Sequence, residues 1–218
     1  MTRLPRRLLQ ALDEFNAAHP WDHNAYYHRW IMRQLPGSFG TALDVGCGTG
    51  ELARSLATRA AAVEAVDSDP AMIVRAQELT SPKAPVTFTT ADALTGVPAA
   101  SYDVITCVAA LHHLPFTDAL AHFRRHLAPG GTLVVVGLWR AQTPVDHLLG
   151  AAAIVPNAIT GWIRSKGRTG HLPASMTAPV RPATMSFPEI VHEARRVLPG
   201  ARVRRRLFWR YTLVWHQD

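Results

Sequence analysis

The sequence predicts an α/β protein built on a doubly wound sheet of seven strands, mostly parallel, with the last strand antiparallel. Three observations lead to this fold. Short β-type runs alternate with helical patterns at the spacing of βαβ units, a glycine-rich turn follows the first run, and two β-type runs close the chain. Sheets of this kind bind ligands beyond the carboxyl ends of their strands, so the residues after each strand are the first candidates for a functional site.

The glycine-rich turn is the run Leu43-Asp44-Val45-Gly46-Cys47-Gly48-Thr49-Gly50. It has the pattern of a buried strand end, a tight turn and the first turn of a helix. Glycine reaches dihedral angles that other residues avoid, and it lets a ligand lie directly against the main chain. The run therefore predicts a nucleotide-like ligand at the mouth of the sheet, although a turn with these residues can also simply be tight.

Two departures separate this turn from the dinucleotide-binding fingerprint. Glu51 stands where that fingerprint has its third glycine, and the carboxylate of Asp44 would repel a pyrophosphate. The run instead resembles the first motif of class I methyltransferases that use S-adenosyl-L-methionine (SAM), which carries an amino acid, a sulfonium, a ribose and an adenine but no phosphate. The resemblance implies a Rossmann-like class I methyltransferase fold in which Asp44, Gly46, Cys47 and Gly48 bind SAM.

The second strand is predicted at residues 62–66 and ends in Asp67. The resemblance implies that Asp67 accepts the ribose hydroxyls, with Ser68 beside it in the cofactor site. The alternative is that Asp67 caps the following helix. Asp69 suits that role better, because it directly precedes Pro70, a favoured first helical residue.

The third strand, residues 86–90, leads to Asp92 and Ala93. The resemblance implies that Asp92 accepts the exocyclic amine of adenine and that the backbone amide of Ala93 meets a ring nitrogen. Asp92 alternatively serves only to shape the loop, as aspartates after strands often do.

The fourth strand, residues 102–108, is followed by Ala109 and by the pair His112 and His113. The resemblance implies that Ala109 lies in the cofactor pocket and that the two histidines stand beside the methyl group. Histidine has a pKa near the working pH, so His113 is the candidate catalytic residue, a general base on the acceptor. The alternative is that the histidines only pack and close the cofactor pocket.

The C-terminal residues support the same fold. Ser186 and Glu189 have the spacing of a capping box and predict a helix that ends near Gly200. The β-type runs 203–208 and 211–215 are then expected to pair antiparallel at one edge of the sheet. The resemblance covers roughly residues 38 to 140 and, more loosely, this C-terminal part.

One domain, residues 1–218, is expected from the length. We divide it into an N-terminal helical cap (1–36), a SAM-binding core (37–140), a lid insertion (141–185) and a C-terminal helix with edge strands (186–218). By resemblance, Tyr27 lies over the methionine end of SAM; alternatively, the aromatic residues of the cap anchor it to the sheet. The long apolar lid favours an acceptor with hydrophobic surface.

Composition excludes several classes. The net charge of +7 comes almost entirely from arginines, and those at 202–206 alternate partly with apolar residues, as an exposed edge strand would; nucleic acid is therefore not the expected partner. The most apolar stretch, 148–163, is interrupted by Pro156, Asn157 and Gly161, so no membrane span is expected. Two cysteines without metal-ligand spacing and an N-terminus without a signal-peptide pattern predict a cytoplasmic protein with no metal site.

The expected function is SAM-dependent methyl transfer to a small molecule, with S-adenosyl-L-homocysteine (SAH) as the product. The positive charge motivates an alternative, a methyltransferase acting on RNA or protein. A SAM-binding protein without transfer activity is a further alternative, because the acceptor site has no signature. An NAD-linked enzyme is disfavoured by Glu51 and Asp92. The acceptor atom and the oligomeric state have no sequence signal.

Overall fold

The computed structural model describes residues 14–98, 100–166, 168 and 181–218. The strands are β1 (Phe39–Val45), β2 (Ala60–Asp67), β3 (Val86–Thr90), β4 (Tyr102–Val108), β5 (Leu127–Leu138), β6 (Arg202–Arg205) and β7 (Arg210–His216). The helices are α1 (His28–Met32), α2 (Glu51–Leu56), α3 (Pro70–Glu78), α4 (Phe116–His126), α5 (Pro144–Arg164) and α6 (Phe187–Val197). Short 3-10 helices span Ala25–Tyr27 and Leu111–His113.

The strands form one seven-stranded sheet in the order β3-β2-β1-β4-β5-β7-β6. Strands β1 to β5 run parallel, and β7 lies antiparallel between β5 and β6. The predicted doubly wound sheet with its reversed last strand is therefore confirmed. Strand order reverses at β1, so the residues after β1 and β4 flank the opening where such sheets bind ligands.

Both faces of the sheet are buried, because neighbouring residues on a strand point to opposite sides. Ile105 of β4 packs in a core with Leu120 and Phe123 of α4, while Val104 packs in a second core with Leu56 of α2. Two buried faces fix the register, since a slip of one residue would exchange the two sets of side chains.

The predicted helix starts are confirmed. The side chain of Asp69 accepts a hydrogen bond from the Ala71 N–H at 2.8 Å and so caps α3, with Pro70 as its first residue. Ser186 and Glu189 form the capping box of α6, in which the Ser186 N–H donates to Glu189 Oε2 at 2.7 Å. The carboxylate of Asp67 is therefore not needed as the cap of α3.

The predicted lid contains a helix of 21 residues, α5, which includes Pro156, Asn157 and Gly161. Asn157 and Gly161 belong to its buried face. The Asn157 Oδ1 accepts from Trp21 Nε1 at 3.1 Å, and a Cβ at Gly161 would lie 2.6 Å from the His19 carbonyl oxygen. The polar and small residues that interrupt the apolar stretch thus form the face that packs on the segment before α1.

The large apolar side chains of α5 point outward; Leu148, for example, is 70% exposed. No helix among the described residues is both long enough and apolar enough to cross a membrane. Residues 1–13 of the predicted cap and residues 169–180 of the predicted lid lie outside the described residues.

Candidate functional site

A cavity of about 770 Å³ opens at the carboxyl edge of the sheet. Its walls come from the residues that follow the first four strands, from the segment before α1 and from the facing ends of β5 and β7. The predicted site residues that line it are Asp44, Gly46, Cys47, Gly48, Asp67, Ser68, Asp92, Ala93, Ala109 and His113. The parallel sheet thus collects residues that are far apart in the sequence at one edge.

The glycine turn has the left-handed backbone that its sequence predicts. Gly46 and Gly48 have φ values of 70° and 52°, in the left-handed region that favours glycine. The N–H groups of Gly46 and Cys47 both donate to the Val66 carbonyl oxygen, at 2.8 and 3.0 Å, which fastens the turn to β2. A Cβ at Gly46 would lie only 2.3 Å from the Cβ of Ala110, so this position excludes every other residue.

Asp67 joins the first two strand ends. Its Oδ2 accepts from the Gly48 N–H at 2.8 Å, and its Oδ1 accepts from the Asp69 N–H at 2.9 Å. A carboxylate oxygen has two lone pairs, so each oxygen can accept one further hydrogen bond from the cavity side.

Asp44 is a buried acid with unused acceptor capacity. The residue is 2% exposed, and its Oδ1 accepts from Thr106 Oγ1 at 2.7 Å. Its Oδ2 is buried and has no hydrogen-bond partner among the described residues. Burial raises the pKa of Asp44 to about 6, although the Thr106 hydrogen bond and the charge of His28 act in the opposite direction. A ligand with a hydrogen-bond donor or a positive charge would satisfy such an unpartnered carboxylate oxygen at the cavity wall.

Asp92 shapes its own loop and lines the cavity at the same time. Its Oδ1 accepts from the N–H groups of Leu94 and Thr95, at 2.9 and 3.1 Å, and from Thr95 Oγ1 at 3.1 Å. The backbone hydrogen bond from Leu94 makes the largest contribution to holding the pKa of Asp92 below its ordinary value. The loop role and the ligand role are therefore compatible, because these bonds all use one oxygen.

Ala109 turns the chain out of β4 at an unusual dihedral angle. Its φ is 51°, which is rare outside glycine, and its N–H donates to the Val136 carbonyl oxygen at 2.7 Å. Left-handed backbone costs a non-glycine residue about 1–2 kcal/mol. Strain of this kind is concentrated at functional sites.

The rings of His112 and His113 contact each other after this turn, with their centroids 4.1 Å apart and their planes tilted by 42°. Burial lowers the pKa of His112 to about 4, and the charges of His113 and Arg210 act in the same direction. Burial, followed by the charge of Arg181, also lowers the pKa of His113. Both rings are therefore neutral at pH 7, and His113 is the more exposed of the two.

Tyr27 is the predicted site residue that does not line the cavity. It is 4% exposed, and its hydroxyl donates to the Leu207 carbonyl oxygen at 2.6 Å. Other cap aromatics pack around Phe208, with the Trp21 ring 4.8 Å from it. The cap residues that do reach the cavity include Asp22, His23 and His28, which precede or begin α1.

Arg181 and Arg210 also line the cavity, although neither was predicted as a site residue. Arg210 begins β7 and pairs with Leu138, the last residue of β5. The predicted antiparallel pairing of the last strand could have indicated Arg210. The first residue of a reversed strand lies at the sheet edge where the adjacent strand of the parallel set ends.

The described lining residues do not favour nucleophilic catalysis by a thiol or the binding of a metal ion. Burial raises the pKa of the Cys47 thiol well above its ordinary value, so the thiol is neutral and a poor nucleophile. Among the described residues, no group of three or more His, Cys, Asp or Glu side chains is arranged to hold a metal ion.

Comparisons with known proteins identify the family of this chain. Residues 42–131 match a methyltransferase domain family. The chain is 34% identical over 214 residues to an uncharacterized methyltransferase of Mycobacterium tuberculosis (strain H37Rv), covering 90% of this chain and 96% of that protein. It is 37% identical over 122 residues to the trans-aconitate 2-methyltransferase of Streptomyces avermitilis, covering 53% of this chain and 45% of that protein.

Solved structures share the fold. The N-methyltransferase NodS from Bradyrhizobium japonicum WM9, in complex with SAH, has a TM-score of 0.56 at 18% identity and matches 96% of this chain and 97% of its own. A SAM-dependent methyltransferase from Aquifex aeolicus has a TM-score of 0.57 at 16% identity, with 99% and 100% covered. The matching family, the near full-length relative and the shared sheet lead to one conclusion: this chain belongs to the class I, SAM-dependent methyltransferases.

Proposed function

We propose that this enzyme transfers the methyl group of SAM to a small-molecule acceptor. The observation that carries the proposal is the cavity itself. Its volume of about 770 Å³ lies within the range of pockets for small ligands, roughly 300–1,000 Å³. The cavity combines a cofactor-type half, after β1 to β3, with a second half that contains the histidines after β4 and the end of β5.

The lining residues suit SAM. The orphaned Oδ2 of Asp44 offers an acceptor to the amino group, and the spare acceptor capacity of Asp67 suits the ribose hydroxyls. Asp92 and Ala93 are proposed to hold the adenine. A Cβ at Gly48 would meet no atom within 4 Å, which leaves open space above the backbone there. Gly46, Cys47, Ser68 and Ala109 are proposed to complete this wall.

SAM supplies a methyl group on a sulfonium, which is already a good leaving group, so the protein does not need to activate the donor; it positions the acceptor and excludes water. Alignment of reactants can supply roughly 7–11 kcal/mol in favourable cases. We assign His113 the role of general base where the acceptor must lose a proton. Its lowered pKa leaves the ring neutral, and therefore able to accept a proton, at pH 7.

The expected hydrophobic acceptor rested on an apolar lid. In the structure, α5 contributes none of the described cavity-lining residues, and its large apolar side chains face outward. The chemical class of the proposed acceptor is therefore argued from the residues of the cavity wall and not from α5.

Methyl transfer can be tested with SAM that is radiolabelled on the methyl group. The purified protein is incubated with small molecules, total RNA and total protein from one lysate, kept as separate fractions. We expect label to appear in the small-molecule fraction. Transfer only to RNA or only to protein would contradict the proposal, and so would tight SAM binding with no transfer to any fraction.

Replacing Asp67 with alanine is expected to weaken SAH binding by about 1–3 kcal/mol, because the ribose hydroxyls then lose their acceptors. Calorimetric titration of SAH into folded D67A protein measures this effect. The exposed Asp118 of α4 does not line the cavity, so D118A is the matched control and should bind SAH like the wild type. Unchanged SAH affinity in D67A would show that the ribose contact is misassigned.

A further inference from the structure

We propose that Arg210 forms a carboxylate-binding subsite for the methyl acceptor, so that the natural acceptor is a small molecule carrying a carboxylate. This inference rests on the proposed function and specifies its substrate class. It depends on four features of Arg210: its place in the sheet, its two free N–H donors, its lack of an acidic partner and the charges around it.

Arg210 lies in the acceptor half of the cavity. In the sheet order, β4 and β5 separate β1 from β7, and neighbouring strands are about 4.8 Å apart, so the Arg210 backbone is about 14 Å from β1. The acids of the cofactor half, Asp44, Asp67 and Asp92, follow β1, β2 and β3, on the other side of β4. Arg210 instead pairs with Leu138, which lines the cavity at the end of β5.

The guanidinium of Arg210 is held rigidly by neutral groups. Its Nε and Nη2 donate to Asn24 Oδ1 at 3.1 and 2.9 Å, and its Nη1 donates to the Phe208 carbonyl oxygen at 3.2 Å. These bonds engage three of the five N–H groups that an arginine carries. The remaining donors, one on each Nη, are left for a planar anion.

Arg210 has no carboxylate close enough to neutralise it. In the described parts of the chain, no Asp or Glu oxygen lies within 4.0 Å of its nitrogens, whereas the partly buried Arg205 meets Asp146 at 3.0 Å. Asp22 acts on Arg210 electrostatically, but its Oδ1 already accepts from the Asn24 and Ala25 N–H groups, at 2.7 and 3.1 Å. Burial lowers the pKa of Arg210, so its positive charge is poorly solvated there. A bound anion would offset this cost.

The surroundings suit a carboxylate rather than a cation. Arg181 also lines this cavity, and the positive charge of Arg210 contributes to the lowered pKa values of His23 and His112. Cationic ligands are repelled from this half and attracted to the acids of the cofactor half. Two free N–H donors of one guanidinium match the two oxygens of a carboxylate.

The experiment uses the intact protein saturated with SAH. The probes are linear dicarboxylates from succinate to suberate, each paired with its neutral diamide, titrated by calorimetry at constant ionic strength. We expect at least one dicarboxylate to bind about tenfold or more tightly than its diamide, since hydrogen bonds to charged groups are the stronger class. Arg210→Met should weaken that binding by about tenfold or more while changing the SAH affinity less than twofold.

Two further variants keep the test decisive. Arg202→Gln removes an exposed arginine from β6 and should bind SAH and dicarboxylate like the wild type. Asn24→Asp places a carboxylate against Arg210, and because it neutralises the guanidinium internally, it should weaken dicarboxylate binding without removing the arginine. This second variant remains informative if R210M does not fold.

The outcomes separate the two proposals. If the wild type does not bind SAH, the proposed function fails, whatever the dicarboxylates do. If SAH binds but dicarboxylates and diamides bind equally, or neither binds, only the subsite is overturned. Loss of SAH affinity in R210M would assign Arg210 to the carboxylate of the cofactor and overturn the proposal. Inorganic phosphate binding more tightly than every dicarboxylate would also overturn it.

Discussion

Replacing Gly46 with alanine is expected to destabilise the folded protein by about 2–5 kcal/mol, the sum of left-handed backbone strain and overpacking. The φ of 70° is unfavourable for alanine, and the new Cβ would lie 2.3 Å from the Cβ of Ala110. Ala110 cannot easily withdraw, because it follows Ala109, which is itself in a left-handed conformation. Urea unfolding at pH 7 measures the loss.

Gly48 supplies the matched control for this prediction. Its φ of 52° is also positive, but a Cβ there would meet no atom within 4 Å. G48A should therefore carry only the backbone cost of about 1–2 kcal/mol. The difference between the two variants isolates the contact with Ala110. Equal destabilisation of G46A and G48A would contradict the idea that close approach between the turns after β1 and β4 shapes the cofactor site.

Replacing Asp44 with asparagine is expected to stabilise the ligand-free protein at pH 7. The pKa of Asp44 is raised by burial from 3.8 to about 6 in the folded protein, so folding favours its protonated form. The contribution of this group to stability is complete below about pH 4, and it is lost as the pH rises through 6. A shift of about 2 pKa units corresponds to about 3 kcal/mol, which is the largest gain expected for D44N above pH 6.

Urea unfolding of wild type and D44N between pH 4 and pH 8 tests this linkage. The two curves should converge near pH 4 and diverge as the pH rises. The exposed variant D118N should follow the wild type throughout. If D44N is less stable than the wild type at pH 7 and at pH 8, then the ionised Asp44 is not an unfavourable buried charge.

The same variant should bind the cofactor less well. The ionised carboxylate attracts the positively charged amino group that SAM and SAH share, so D44N should weaken SAH binding at pH 8 by about 1–3 kcal/mol. Near pH 5 the wild-type carboxyl is itself protonated, and the difference should shrink. Stability and binding would then respond to D44N in opposite directions. A site that tolerates a destabilising charge in order to bind its ligand behaves in this way.

Much of the candidate site could be predicted because its residues directly follow strands. Alternation of apolar residues indicates a strand, and the carboxyl ends of parallel strands meet at one edge, so Asp67 and Asp92 reach the same cavity wherever the helices between them lie. The cap at Asp69, the capping box at Ser186 and the antiparallel pairing of β7 are equally local patterns. Tyr27 does not follow a strand, so its place relative to the cavity depended on how the cap packs onto the sheet.

Helix α5 shows why local propensity was insufficient. Pro156, Asn157 and Gly161 interrupt the apolar stretch 148–163 and are poor helix formers, yet all three lie within α5. Packing overrides that preference. A small residue at 161 allows the His19 backbone to approach, and Asn157 accepts a hydrogen bond from Trp21, which lies 136 positions earlier in the sequence. Such contacts are not visible in a window of neighbouring residues.

The sequence by itself determined the α/β fold, its seven strands with a reversed last strand, and which glycines and acids follow the first three strands, because each depends on interactions between near neighbours along the chain. Only the tertiary structure decided the proposed acceptor half. Whether Arg210 is neutralised or available depends on Asn24, which lies 186 positions away, and on which acids lie within reach. The energy of a charge depends on its distances to other charges and on its burial, and both are set by the folded chain as a whole.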